Sequence, residues 1–212
     1  MMIPTEEEYA QALIERHTRP VYEKLRSARV AIAGLGGLGS NIAVSLTRAG
    51  VGELLLVDFD RVEISNLNRQ QYDTGDLGRL KTEALRERLL KINPYITLKT
   101  DTIRVDDTNA AEIFGSYRIV CEAFDKASTK AMLINTLLTQ CPQTHIVSGS
   151  GMAGYLSANL ITTRRVFDRL YLCGDGVTDM ADANGLMAPR VAVCANHEAN
   201  MALRLILGAS DA

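Results

Sequence analysis

The feature that most narrows what this chain can fold into is the run Gly34-Leu35-Gly36-Gly37-Leu38-Gly39, directly after the short apolar stretch Val30 to Ala33. Ile42, Val44, Leu46 and Ala49 then recur at the spacing of one helix face, Gly50 stops the helix, and the continuously apolar Leu54 to Val57 ends in Asp58-Phe59-Asp60. Strand, glycine turn, helix, strand and acid within about 30 residues make a βαβ unit. In Gly34-x-Gly36-x-x-Gly39 the glycines permit a tight turn, close backbone approach to phosphate, and packing of helix on strand, while the helix amino terminus attracts the anion. Asp58, at a strand's carboxyl end, stands where it can accept hydrogen bonds from ribose hydroxyls. The competing reading is a glycine turn that serves structure alone.

The rest of the chain continues the alternation. Thr5 and Glu8 form a capping box, so a short helix is expected there, with a second stretch, Val21 to Ser27, across a basic interruption at Arg16, Arg19 and Pro20. Residues 1–28 are thus read as an N-terminal helical segment. Lys81 to Ile92 has helical spacing and ends at Asn93-Pro94, because proline disfavours the helical conformation of the residue before it. Next come a strand near Ile96 to Ile103, a short helix over Ala110 to Phe114, a strand at Ile119 to Cys121, a helix facing inward through Ala131, Ile134 and Leu138, and a strand at Ile146 to Ser148. This pattern predicts an α/β, Rossmann-like sheet, parallel in its first half, with helices on both faces. Beyond Gly149 glycines break the periodicity, which implies a mixed sheet plus loop, until Pro189 opens a C-terminal helix that Gly208 ends. Residues 29–212 are read as one domain with a crossover loop near 165–186.

Composition excludes several functions. The 23 basic residues nearly balance the 25 acidic ones, giving a net charge of −2, so the bulk positive charge of a nucleic-acid binder is absent. No stretch reaches the roughly 20 apolar residues of a membrane span. Glu6, Glu7 and Glu8 stand where a secretory signal would be basic and then apolar, so a cytoplasmic enzyme is expected. Cys121, Cys141, Cys173 and Cys194 lie far apart with no C-x-x-C pair, and read as reduced thiols.

Which nucleotide the turn serves depends on the residues after Asp58. Asn66-Leu67-Asn68-Arg69-Gln70 and Lys81 place polar and cationic groups beyond the ribose-binding strand. A triphosphate carries more charge than a pyrophosphate bridge, so Arg69 and Lys81 suit ATP as fork and point-charge donors. An NAD(P)-dependent Rossmann oxidoreductase would explain the glycine turn and Asp58 but leaves Arg69, Gln70, Lys81 and Asp125 without purpose. A binding module that had lost catalysis would lack phosphate ligands, and they are present.

Six motifs occur together and in order: Gly34-Leu35-Gly36-Gly37-Leu38-Gly39, Asp58-Phe59-Asp60, Ser65-Asn66-Leu67-Asn68-Arg69-Gln70, Gly78-Arg79-Leu80-Lys81, Ile92-Asn93-Pro94 and Gly185-Leu186-Met187-Ala188-Pro189. In this the chain resembles the ThiF/MoeB family, similar to the adenylation domain of ubiquitin-activating enzymes, and most of all its short, zinc-free ThiF branch of thiamine biosynthesis. The resemblance implies adenylation of the C-terminal glycine of a ubiquitin-like sulfur carrier ending in Gly-Gly, with ATP and Mg²⁺. A molybdopterin-synthase carrier is the nearest rival substrate. It implies that Gly34, Gly36, Gly37, Gly39, Asp58, Asp60, Asn66, Arg69, Gln70 and Lys81 surround the nucleotide, with Arg69 and Lys81 catalytic, and that Asp125 holds Mg²⁺. Asp125 has a second reading, as the cap of the helix after it. Arg19 corresponds to an early arginine that reaches the neighbouring subunit's triphosphate, which implies a homodimer; Arg16 is the alternative, and a plain surface arginine the bland one.

The pattern also departs from the family. Many relatives hold a structural zinc with two C-x-x-C pairs; here Leu170 stands at the first position and Cys173 at the second, and no second pair is present, so no zinc site is expected. Some carry a loop cysteine before Gly-x-Met-Ala-Pro, but the matching stretch is Ala181-Asp182-Ala183-Asn184. Cys173, nearby, is expected to be a plain buried thiol, with a covalent role as the alternative.

Overall fold

The computed structural model describes residues 3–179 and 185–212. Helix α1 (Glu6–His17) starts at the expected capping box: Glu8 N donates to Thr5 Oγ1 at 3.2 Å, and Thr5 N donates to Glu8 Oε2 at 2.7 Å. A break at Thr18, whose φ is 73°, separates it from α2 (Arg19–Ser27). The order continues β1 (Arg29–Ala33), α3 (Gly37–Ala49), β2 (Glu53–Val57), α4 (Lys81–Ile92), β3 (Thr97–Asp101), α5 (Ala110–Phe114), β4 (Ile119–Glu122), α6 (Ala127–Gln140), β5 (His145–Gly149), β6 (Thr162–Phe167), β7 (Leu170–Gly174) and α7 (Ala188–Leu207).

These strands form one seven-stranded sheet in the order β3-β2-β1-β4-β5-β7-β6. Every pairing is parallel except β6 with β7. The chain runs outward from β1 in one direction and then, from β4, in the other, so the order reverses at β1 and β4. In such sheets a crevice opens outside the strands' carboxyl ends at that switch point.

The central strands are apolar throughout because both faces are covered. Successive side chains alternate between the faces. Val30 and Ile32 of β1 and Leu54 and Leu56 of β2 pack into one core with Ile42, Leu46, Leu85, Leu89 and the inner side of α7. Ala31, Ala33, Leu55 and Val57 face the other way, onto Phe114, Leu133 and Leu137 of α5 and α6. Each such leucine contributes about 1.5–3 kcal/mol relative to exposure. Leu25 of α2 joins the first core, so the N-terminal segment packs on the domain rather than standing apart.

Part of the range 165–186, expected as a crossover loop, is regular structure. Residues through Phe167 and from Leu170 to Gly174 belong to the β6–β7 hairpin, with Arg165 opposite Tyr171, and the irregular segment begins after Gly174. The glycines that broke the helical period conceal this hairpin, whose β7 is buried beside β5 while β6 forms the exposed edge. Ala181-Asp182-Ala183-Asn184, the stretch expected to stand in place of a loop cysteine, lies outside the described residues. No described helix is long and apolar enough to cross a membrane.

Candidate active site

The glycine turn joins β1 to α3, and two of its glycines are required by geometry. Gly34 has φ +91°, and a Cβ there would lie 2.9 Å from the Ala123 carbonyl oxygen. At Gly39 a Cβ would drive into the Gly34 carbonyl itself. Among the described residues no side chain caps the first turn of α3, and no acid lies in that turn, so its amides and the positive end of its dipole are not taken up by described groups and can face an anion.

Asp58, buried at the end of β2, accepts from the Leu35 amide at 2.7 Å through Oδ2 and from the Asp60 amide at 2.8 Å through Oδ1. It thereby stiffens the turn while each oxygen keeps a lone pair for a further donor. Asp60 is paired: Lys81 Nζ donates to its Oδ2 at 2.9 Å, with the lysine side chain 7% exposed and the aspartate 49%. The Lys81 amide also donates to the Asp60 carbonyl at 3.0 Å, which pins the start of α4 beside the end of β2.

The turn after β2 is laced to α3. Asn41 Nδ2 donates to the Gly37 carbonyl at 2.7 Å and the Arg69 carbonyl at 3.1 Å, and Gln71 Nε2 donates to Asn41 Oδ1 at 2.8 Å. Arg69 consequently lies over Gly37, where a Cβ would meet its Cγ at 3.5 Å. Gln70 is 8% exposed, its Nε2 faces Gly36, and its Oε1 has no partner among the described residues. Asn66 is buried and caps its own turn by accepting from Glu63 N at 3.1 Å.

Asp125 lies just beyond β4, two residues past the Ala123 that touches Gly34. It is exposed, and it does not cap α6: Lys126 occupies that position, and among the described residues no side chain bonds the first turn. A single exposed carboxylate of this kind suits Mg²⁺, which keeps most of its shell for water and phosphate. Among the described residues no group of three His, Cys, Asp or Glu is arranged to hold a metal.

The structure does not bring Arg16 or Arg19 into this site. Both are exposed, and their segment packs at the opposite, amino-terminal end of the strands, where Leu13 meets Gly50 and the Arg26 carbonyl lies against Gly52. Neither arginine reaches the glycine turn of its own chain. Cys173 is fully buried, and burial, reinforced by Glu198, pushes its thiol up to about 12, which opposes formation of a nucleophilic thiolate.

Polar residues that no sequence motif singles out gather at the other strands. Arg190 Nη2 donates to Asp175 Oδ2 at 2.6 Å, and both side chains are almost fully buried. Burial would raise the Asp175 carboxyl, but the Thr178 and Val177 amides, Arg190 and the Thr178 hydroxyl outweigh it and hold it below the ordinary range. The Asp-Gly pair at Asp175 is a turn signal, and Arg190 comes directly after Pro189, but nothing local announces that they meet.

A reversal of strand order, an uncapped helix amino terminus and a strand-end carboxylate define a Rossmann-type α/β domain with an anion-ready carboxyl edge. The chain belongs to the ThiF family, whose model matches residues 9–212. It is 33% identical over 191 residues to the molybdopterin-synthase adenylyltransferase of Salmonella typhimurium, covering 87% of this chain and 75% of that one. It is 43% identical over 130 residues to the adenylyltransferase and sulfurtransferase UBA4 of Eremothecium gossypii, covering 61% of this chain and 29% of UBA4. Among solved structures, the E. coli tRNA N6-threonylcarbamoyladenosine dehydratase TcdA in complex with ATP superposes with a TM-score of 0.86 at 19% identity over 97% of each chain.

Proposed function

We propose that this protein is an ATP-dependent adenylyltransferase that activates the C-terminal glycine of a small ubiquitin-like sulfur-carrier protein, the ThiS-like carrier of thiamine thiazole biosynthesis. The observation that carries the reading is Arg69 lying over Gly37 at the start of α3, after a glycine turn whose Leu35 amide is held by Asp58. The ATP complex of TcdA and the adenylyltransferase relatives support it.

In this reading Asp58 accepts from the ribose hydroxyls, and the α3 amides and Gln70 receive the phosphates. The carrier's terminal carboxylate attacks the α-phosphorus, the bond to the bridging oxygen breaks, and pyrophosphate leaves, so that an acyl-adenylate remains. No covalent enzyme nucleophile is needed. Negative charge gathers on the α-phosphoryl oxygens and on pyrophosphate, where Arg69 and Lys81 stabilise it. For Lys81 to do so it exchanges Asp60 for phosphate, leaving Asp60 at the nucleotide's rim. Mg²⁺, when bound at Asp125, neutralises phosphate charge. Arg19 serves the triphosphate of a partner copy in a homodimer, since its own chain's site lies at the far end of the sheet.

A second reading, activation of a molybdopterin-synthase carrier, is favoured by the 33% identity to an enzyme named for that step. Exchange of labelled pyrophosphate into ATP, measured with each carrier ending in Gly-Gly, tests both. Exchange is expected with the thiazole carrier. Exchange with the molybdopterin carrier alone selects the second reading, and nicotinamide-cofactor binding without any exchange overturns both.

A further inference from the structure

We propose that Asn68 is a positioning residue for the nucleotide site, one that holds the Arg69 guanidinium with a single edge free and ties it to the entry of α7. The inference rests on the nucleotide reading above and adds a residue to which that reading gives no role.

Both protons of Arg69 Nη1 are engaged: one goes to the Ser65 carbonyl at 2.9 Å and the other to Asn68 Oδ1 at 2.8 Å. Neither Nη2 nor Nε bonds to another described residue. The edge they form is the parallel pair of donors with which an arginine grips two phosphoryl oxygens. The tether thus immobilises the side chain without occupying the part that binds. A free arginine would lose its rotamer freedom on meeting the ligand, whereas this one has lost most of it beforehand.

Asn68 is itself held. Its Nδ2 donates to the Leu186 carbonyl at 2.9 Å, across 118 residues of sequence, and Leu186 immediately precedes Met187, the N-cap of α7. These two bonds dictate the amide's orientation. Turning it over would set NH₂ against the arginine donor and oxygen against the carbonyl. Asn68 therefore links two motifs, the turn after β2 and the Gly-Leu-Met-Ala-Pro segment, and transmits the position of α7 to Arg69.

A double-mutant cycle on ATP affinity, read by calorimetry with the full chain and Mg²⁺, tests this. Asn68→Ala is expected to weaken ATP binding by about fivefold in the wild-type background and by less than about twofold once Arg69→Ala is present, because a residue that acts through Arg69 has nothing left to position. Asn68 is exposed, and urea unfolding curves of the variants are expected to coincide. Equal losses in both backgrounds, or no loss in either, overturn the proposal while leaving the nucleotide site standing. Failure of the wild-type protein to bind ATP removes the nucleotide reading and this role together.

Discussion

The two halves of the sheet handle charge in opposite ways. At the carboxyl ends of β1 and β2 the buried charged groups keep capacity for a ligand: Asp58 accepts from two backbone amides with a lone pair left on each oxygen, and Lys81 is paired with a half-exposed aspartate. At β4, β5 and β7 the charges are interior. Glu122, fully buried, accepts from Lys130 at 2.8 Å, the Ser148 hydroxyl at 2.6 Å and the Phe124 amide at 2.8 Å. Asp175 and Arg190 are sealed against each other. Glu198 of α7 is equally buried, yet neither of its oxygens has a partner among the described residues, and burial pushes its carboxyl well above the usual range, with Lys130 opposing and Glu122 reinforcing. In the first arrangement Lys81 can exchange its partner for a ligand and leave Asp60 in water. The second fastens α7 to the sheet, where a lost partner leaves a stranded charge.

The contrast is sharpest at Asp175. Asp175→Ala leaves Arg190 buried and unpaired, and is expected to cost about 3–5 kcal/mol in urea unfolding. A loss below about 1 kcal/mol would erase the distinction between the halves. Because its folded carboxyl is depressed, the wild-type pair contributes fully above the unfolded value near pH 4 and is lost as pH falls further, so the variant is expected to lose less on acidification.

Lys81→Ala makes the opposite demand. Its partner Asp60 remains in solvent contact, so the fold is expected to hold while carrier-dependent pyrophosphate exchange falls by about 10²–10³, roughly 3–4 kcal/mol of transition-state stabilisation. Unchanged exchange would remove the lysine from the chemistry.

Glu198→Met, which removes an unpartnered carboxyl, is expected to stabilise the protein by about 1–3 kcal/mol near pH 8. A carboxyl whose folded value is raised binds its proton more tightly in the fold than in the unfolded chain, so wild-type stability is expected to decline as pH rises above about 4, and the methionine variant to lack this slope. Parallel pH profiles of the two proteins would show that Glu198 is ionised in the fold. The smallest effect belongs to the thiols. All four cysteines are buried, and an aromatic disulfide reagent is expected to leave them untouched in native protein and to titrate them in guanidinium.

The βαβ frame is legible residue by residue. The helices Lys81–Ile92 and Ala110–Phe114 carry the boundaries that spacing and Asn93-Pro94 imply, and Gly50 and Gly208 end their helices in left-handed conformations. The β6–β7 hairpin is not, because glycines and polar edge residues mask an alternation that only pairing with β5 makes apolar on one strand. Glu198 escapes notice for a similar reason, since a glutamate within an apolar helix face does not announce that a glycine opposite, Gly149, leaves room for it.

Local physics therefore settled the turn, the helix that starts from it and the acid at the end of β2, since a glycine's freedom, a periodicity and a strand end are properties of a few consecutive residues. Which buried charge meets which, and that Asn68 bonds to Leu186 while Arg19 is carried to the far end of the sheet, depended on packing distant segments together. Short-range preferences are written along the chain, whereas a hydrogen-bond partner is chosen by whatever donor or acceptor the closed core leaves within about 3 Å.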